Sequence, residues 1–248
     1  MSSETLGYPP FDTVKPVAEG IWIVDAKPIH VMGIALPVRM TVVRLSSGDV
    51  WLCSPTRFSP ELSARLAEIG PVRHLVAPSL GHWTFMEEWQ KHYPEATTWA
   101  VPKLRDRRQV KASALRLDHD LGDTPPEAWA GDLRQMIVRG GGGFREAAFY
   151  HAASRTAVLT DLVSNLEPER VTKATRAYAR LTGTRAPNGS TPNYLRVALR
   201  LRKRDAAEAG ARLIDWAPER VIFAHGRWFE DDGTRRLKQA LGWLLDQG

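Results

Sequence analysis

The chain has 248 residues, 43% hydrophobic and 25% charged, enough for one large α/β domain with a substantial core. Its net charge of +6 is local: Arg170 to Arg204 holds ten Arg and Lys and no acid, so the rest of the chain is net acidic. One cysteine excludes an intrachain disulfide or a thiolate cluster, no run approaches the roughly 20 apolar residues of a membrane helix, and the start carries no signal-peptide core; a cytoplasmic protein with no membrane partner is expected.

Residues 1–13 read as a loose arm and residues 14–248 as one domain. Residues 21–25 and 40–45 are predicted strands by β-branched enrichment. Ser46-Ser47-Gly48-Asp49 turns into a further strand, Val50–Cys53, with Cys53 as a buried small hydrophobe. Residues 26–39, interrupted by Pro28, Gly33 and Pro37, are expected to form a flap over a site. Ser59 caps a helix with Pro60 in its first position, and Gly70-Pro71 ends it. A strand at Val72–Ala77, a helix at 82–92 and strands at 97–101 and 115–117 follow. Leu133–Arg139, 146–151 and 155–160 suggest a second, small antiparallel sheet. Residues 168–181 are helical, 182–192 a loop, 194–216 one long helix, 220–224 the last strand and 232–245 a closing helix. Strands followed by helices, twice over, predict two facing sheets with helices outside.

Three short apolar runs each lead into a polar, metal-competent side chain: His82, Asp161 and His225. Rigid strands aim side chains at one rim, so these three are expected to converge although they lie far apart in sequence. Two imidazoles and a carboxylate suit one zinc or iron(II) ion, with positions left open for water. A plainer reading stands equally beside this one. His82 then belongs to the apolar helix face of Phe85, Met86, Trp89 and Tyr93, His225 caps a turn before Gly226, and Asp161 accepts backbone N–H groups at a helix start. The trio is then a metal-free polar cluster, or does not converge at all.

Arg39, His30 and Trp228 are candidate substrate-binding residues. Arg39 has a planar fork suited to a carboxylate or phosphate, His30 flanks the flap, and Trp228 can wall a pocket. A surface salt bridge for Arg39 and packing against the last helix for Trp228 are the plainer roles. Asp118-His119-Asp120 with Asp123 is rich in ligand types but lies in a turn-rich loop. His151 reads as a turn hydrogen-bonding residue and His74 as structural. Residues 140–143, four glycines, lack the Lys-Ser/Thr of a phosphate loop and read as a hairpin or loop. Spacing puts Arg196, Arg200 and Lys203 on one helix face, an anion-facing surface or simply a solvated one.

A family resemblance rests on several motifs together. They are Pro16-Val17-Ala18-Glu19-Gly20-Ile21-Trp22, Arg39-Met40-Thr41-Val42-Val43-Arg44-Leu45 and Gly70-Pro71-Val72-Arg73-His74-Leu75-Val76-Ala77-Pro78. Trp129-Ala130-Gly131-Asp132, His151-Ala152-Ala153-Ser154-Arg155-Thr156 and Ala224-His225-Gly226-Arg227-Trp228 complete the set. With the element order, these resemble the metallo-β-lactamase fold, and more closely its divergent DUF4336 branch. The resemblance implies an αββα sandwich. The parent metal signature, H-x-H-x-D-H aligned on His82, falls on Ala77, Ser79, Gly81 and His82. The next family ligand falls near Gly142. The three-histidine site is therefore lost, and His82, Asp161 and His225 match half of the second. This implies a degenerate member: a mononuclear metal-dependent hydrolase, or a non-catalytic relative binding an anionic small molecule or partner in the residual pocket. Nucleic-acid binding through Arg170 to Arg204 is a weaker third reading. Neither substrate nor oligomeric state is legible.

Overall fold

The computed structural model describes residues 6–245. Val14–Ala18 (β1), Ile21–Val31 (β2), Ile34–Arg44 (β3) and Val50–Cys53 (β4) form an antiparallel meander. The helix Pro60–Ala67 (α1) leads to Val72–Ala77 (β5), Met86–His92 (α2) to Thr97–Ala100 (β6), and Arg108–Lys111 (α3) to His119–Asp120 (β7). These last three strands extend the same sheet in parallel, which requires such crossovers. Ser59 caps α1 as predicted: its Oγ accepts the Leu62 N–H at 3.1 Å.

The second sheet holds Leu133–Arg139 (β8), Arg145–His151 (β9) and Thr156–Val158 (β10). Ser164–Asn165 (β11) then leads into the helices Lys173–Thr182 (α4), Asn193–Arg200 (α5) and Lys203–Asp215 (α6). Arg220–Ile222 (β12) pairs in parallel with β10, so this sheet is mixed rather than antiparallel. His225–Gly226 (β13) pairs with β11, and Gly233–Leu245 (α7) closes the chain.

Both faces of the second sheet are covered. Ile137 of β8 and Phe149 of β9 meet Val42, Trp51 and Leu75 of the first sheet in one core. Their neighbours Met136, Ala148 and Tyr150 pack with Leu213 of α6 and Leu237 and Leu241 of α7 in another. Period-two alternation between two apolar layers explains why these strands read as continuous hydrophobic runs. The result is the expected αββα sandwich.

Several expectations are corrected. Residues 26–39 are not a flap but the far half of a long hairpin, with Ile29 paired to Leu36 and Val31 to Ile34. Pro28 lacks an N–H, and the register shifts there instead of the strand ending. Met32 and Gly33, both at positive φ, make the two-residue turn. The long helix at 194–216 breaks into α5 and α6 at Leu201-Arg202, with no Pro or Gly to signal it. The short strand lies at β7, not at 115–117. Of the arm, residues 1–5 lie outside the described residues. Beyond them, Gly7 donates to the Arg170 carbonyl at 2.7 Å and Asp12 to that of Asp25 at 2.8 Å. No helix of the described residues is long and apolar enough to cross a membrane.

One buried ion pair ties the first sheet to β13. Arg39 Nη2 meets Asp25 Oδ1 at 2.7 Å, and Nη1 donates to the carbonyls of Phe223 at 2.9 Å and Gly226 at 2.8 Å. Arg39→Met leaves those carbonyls unpartnered and Asp25 buried with only Lys15, 2.9 Å away. Chemical denaturation is expected to show a loss of about 3 kcal/mol; a loss below about 1 kcal/mol would show that the pair stabilises little.

Candidate functional site

Four chain segments meet at one rim of the sandwich. Ser54 follows β4 at φ 56°. Ser79 and His82 follow β5, with His82 in the turn before α2 rather than on the helix face. Asp161 follows β10. His225 begins β13, where Gly226 at φ 98° lies against the Asn165 carbonyl so closely that any Cβ would overlap it. Only glycine fits this approach, and it sets the backbone that carries His225.

The structure brings His82, Asp161 and His225 together. Asp161 Oδ1 lies 3.2 Å from His82 Nε2 and 3.3 Å from His225 Nε2. The other carboxylate oxygen, Oδ2, accepts the Ser79 hydroxyl at 2.8 Å. His225 Nδ1 is 2.8 Å from the Pro37 carbonyl. A carbonyl only accepts, so Nδ1 carries a proton and donates to Pro37, and Nε2 is the nitrogen that faces Asp161. His82 Nδ1 is 2.6 Å from Ser54 Oγ, a hydroxyl able to donate or accept, so either tautomer is satisfied. Burial opposes the charge of Asp161, but His82 and His225 hold its carboxyl well below the usual range.

The position of Asp161 depends on Glu146, which sequence reasoning missed. Glu146 lies on β9 with no exposed surface. Its Oε1 accepts the Thr160 N–H at 2.7 Å, and its Oε2 those of Asp161 at 2.9 Å and Leu162 at 2.8 Å. Burial, reinforced by the charge of Asp161, raises its pKa to about 8 against the pull of these three donors. Asp161 therefore does not cap a turn itself; its own turn is capped by Glu146. The available signal was an acid at the head of an otherwise apolar strand, Glu146 to Tyr150.

The other candidates lie elsewhere or have other partners. Arg39 is buried and its guanidinium is taken up by Asp25 and two carbonyls, so it is not offered to a ligand. His30 lines a separate groove with Phe11, Lys27 and Arg170. Trp228 packs against both cores and is not among the residues lining the cleft. In the acidic loop the carboxylates diverge: Asp118 pairs with Arg116, Asp120 with Arg105 and Asp123 with Arg139. His151 Nδ1 meets Ser154 Oγ at 2.7 Å, the turn role expected of it. Arg196 donates to the Thr191 carbonyl, and with Arg200 it lies over the Trp243 ring. Lys203 starts the next helix, so these three do not share one helix face.

A cleft opens onto the trio. Its walls include Ile29, Val31, Leu36 and Val38 from the hairpin and Tyr178 and Tyr194 from α4 and α5. The hairpin thus does what a flap was expected to do, as a fixed part of the sheet.

A family profile described as "Domain of unknown function (DUF4336)" matches residues 18–193. Among solved structures, the chain is similar to a metallo-beta-lactamase from Pontibacter korlensis, with a TM-score of 0.62 and 15% identity over 95% of this chain and 99% of that one. It is also similar to the FIM-1 metallo-beta-lactamase from Pseudomonas aeruginosa in its mono-zinc form, with a TM-score of 0.60 and 14% identity over 94% and 95% of the two chains. The DIM-1 metallo-beta-lactamase gives a TM-score of 0.61 and 13% identity over 93% and 97%. At these identities the likeness establishes the fold. No curated protein matches the sequence.

Glu146 generates a pH-dependent prediction. An unfolded glutamate loses its proton near 4.5, whereas the folded one holds it to about 8. Between these values the folded state binds more protons, so this group's contribution to stability falls as pH rises. Glu146→Gln cannot titrate, and its amide loses one backbone hydrogen bond, costing about 1–3 kcal/mol. Denaturation of chelator-treated protein should show the wild type more stable near pH 5 and the gap narrowing toward pH 8. A gap that widens with pH would place the proton elsewhere.

Proposed function

This chain belongs to the DUF4336 family, on the fold of the metallo-β-lactamases, and from that premise we propose that it is a mononuclear metal-dependent hydrolase. His82, Asp161 and His225 are its ligands, for one zinc or iron(II) ion. The observation that carries the reading is the convergence of three ligand-type side chains with their rings held in place: His225 Nδ1 donates to the Pro37 carbonyl, which turns Nε2 to 3.3 Å from Asp161 Oδ1, and His82 Nε2 lies 3.2 Å from the same oxygen. A cation shared by these atoms, a metal ion or a proton on a ring nitrogen, holds them at such distances. The two separations of 3.2 and 3.3 Å are close to the edge of a tetrahedron with bonds of about 2.0–2.1 Å. One donor atom from each of the three residues lies within 4.8 Å of the others. The mono-zinc form of FIM-1, a protein of this fold, further supports a one-metal reading.

A divalent ion held there supplies a Lewis acid and a water of lowered pKa. The residues of the chain do the rest. Ser79 occupies Oδ2 of Asp161 and leaves Oδ1 to face the histidines. Pro37 and Ser54 orient the two rings through their far nitrogens, as outer partners of metal-binding histidines do. Glu146 holds the backbone beneath Asp161. With Ala77 and Ser79 where the parent signature has histidines, a second ion has no ligand set.

One observation favours a metal-free cluster instead. If the Ser54 hydroxyl donates to His82 Nδ1, then Nε2–H donates to Asp161, and that half of the trio is satisfied without an ion. Metal analysis separates the two. Protein exposed to zinc and dialysed is expected to hold close to one ion per chain, and His225→Ala none, with its far-UV circular dichroism unchanged. Ser54→Ala should bind zinc about tenfold more weakly. Wild-type protein that retains nothing after zinc, manganese and iron(II) in turn would end the hydrolase reading.

A further inference from the structure

The composition of the cleft narrows the substrate, and the argument rests on the hydrolase reading above. The walls are hydrocarbon and aromatic: Ile29, Val31, Leu36, Val38, Phe85 and Leu166. Tyr178 and Tyr194 add two rings, their hydroxyls 3.4 Å apart. Beyond the trio, the polar side chains in the lining are neutral hydroxyls, among them Ser54, Thr56 and Thr84. Among the described residues no lysine or arginine lines it. Of the nearby cations, two are held by other groups and the third lies over a wall residue. Arg39 is buried on Asp25, Arg107 donates to the Leu80 carbonyl at 2.8 Å, and exposed Arg57 lies over the Phe85 ring, 5.3 Å from its centre. An anionic group lying on these walls, away from the trio, would be desolvated with no protein counter-charge beside it, a cost that disfavours it. The volume, about 200 Å³, admits only a small group.

We propose that the substrate is a small uncharged ester whose apolar acyl group lies on this wall with its carbonyl toward His82, Asp161 and His225. The anionic ligand expected from the fold resemblance meets no lysine or arginine on these walls. Hydrolysis adds one water: the acyl carbon–oxygen bond breaks, the carbon gains the hydroxyl and the leaving oxygen gains a proton. The acid product then ionises, and the apolar walls, which carry no lysine or arginine, give its carboxylate no partner from the protein.

Binding to chelator-treated protein tests the ligand class without reference to metal or turnover. The probes are phenylacetamide, an uncharged and unreactive stand-in, and phenylacetate, its anionic counterpart. Calorimetry is expected to show the amide binding at least about tenfold more tightly. Phe85→Ala should weaken the amide about tenfold by removing part of the wall. Equal or tighter binding of phenylacetate overturns the proposal, as does an amide that fails to bind at millimolar concentration or ignores Phe85→Ala. Amide preference in a protein that takes up no metal would sink the hydrolase reading and leave this ligand class standing. Metal uptake with preference for the anion would do the reverse.

Discussion

The site depends on one buried carboxylate. Glu146 has no exposed surface, yet it accepts three consecutive backbone N–H groups, those of Thr160, Asp161 and Leu162. These are the donors a chain leaves unpaired when a strand ends and turns inside the protein. Without an acceptor each would cost about 1–3 kcal/mol, and the turn would relax toward solvent. Asp161 would move with it. Since His82, His225 and Ser79 all address Asp161, the geometry of the cluster follows from a residue that does not belong to it. The Arg39–Asp25 pair is the counterpart on the other side. It holds the Phe223 and Gly226 carbonyls, and so the strand that carries His225. Each half of the cluster is thus fixed by a buried ionisable side chain whose partners are mostly backbone.

Much of the fold was legible because its signals are local and periodic. Ser59-Pro60 started a helix where it should, and β4, β5 and β8 kept their predicted limits. The convergence of His82, Asp161 and His225 was legible for a related reason, since each follows a strand and strands of a sandwich end at shared rims. What failed was read from punctuation. Pro28, Gly33 and Pro37 suggested a flap, but a single irregularity in the ladder absorbed Pro28, and Gly33 made a tight hairpin turn. The break between α5 and α6 has no local signal at all. Glu146 and Asp25 were invisible because a buried acid is recognised by its partners, and these lie ten or more residues away in sequence: backbone N–H groups for Glu146, the Lys15 and Arg39 side chains for Asp25.

Arg39 shows how chemistry read from residue type can mislead. A guanidinium beside a presumed flap looks like an anion clamp. In the fold it has 3% exposure and is surrounded by acceptors from the protein itself. One end of the fork meets Asp25 and the other two backbone carbonyls, so these donors are used inside the molecule. The basic stretch follows the same logic in part. Arg196 donates to the Thr191 carbonyl and the Ser190 hydroxyl, and it shares the Trp243 ring with Arg200. Formal charge counted along a sequence therefore overstates what an outside anion meets.

The substitutions that remove the parent fold's other ligands are not simply losses. Ser79 stands at a position where the metallo-β-lactamase signature has a histidine. Its hydroxyl donates to Asp161 Oδ2 at 2.8 Å, and the Gly81 N–H donates back to Ser79 Oγ at 3.3 Å. A carboxylate free to rotate would present either oxygen to its neighbours. With Oδ2 occupied, Oδ1 alone is left to both histidines. A Cβ at Gly81 would lie 3.8 Å from that hydroxyl and 4.0 Å from Oδ2, ordinary contact distances, so the arrangement does not depend on glycine there. Where the parent fold holds an ion, this chain orients a carboxylate. The consequence is that Ser79 fixes which oxygen of Asp161 faces His82 and His225.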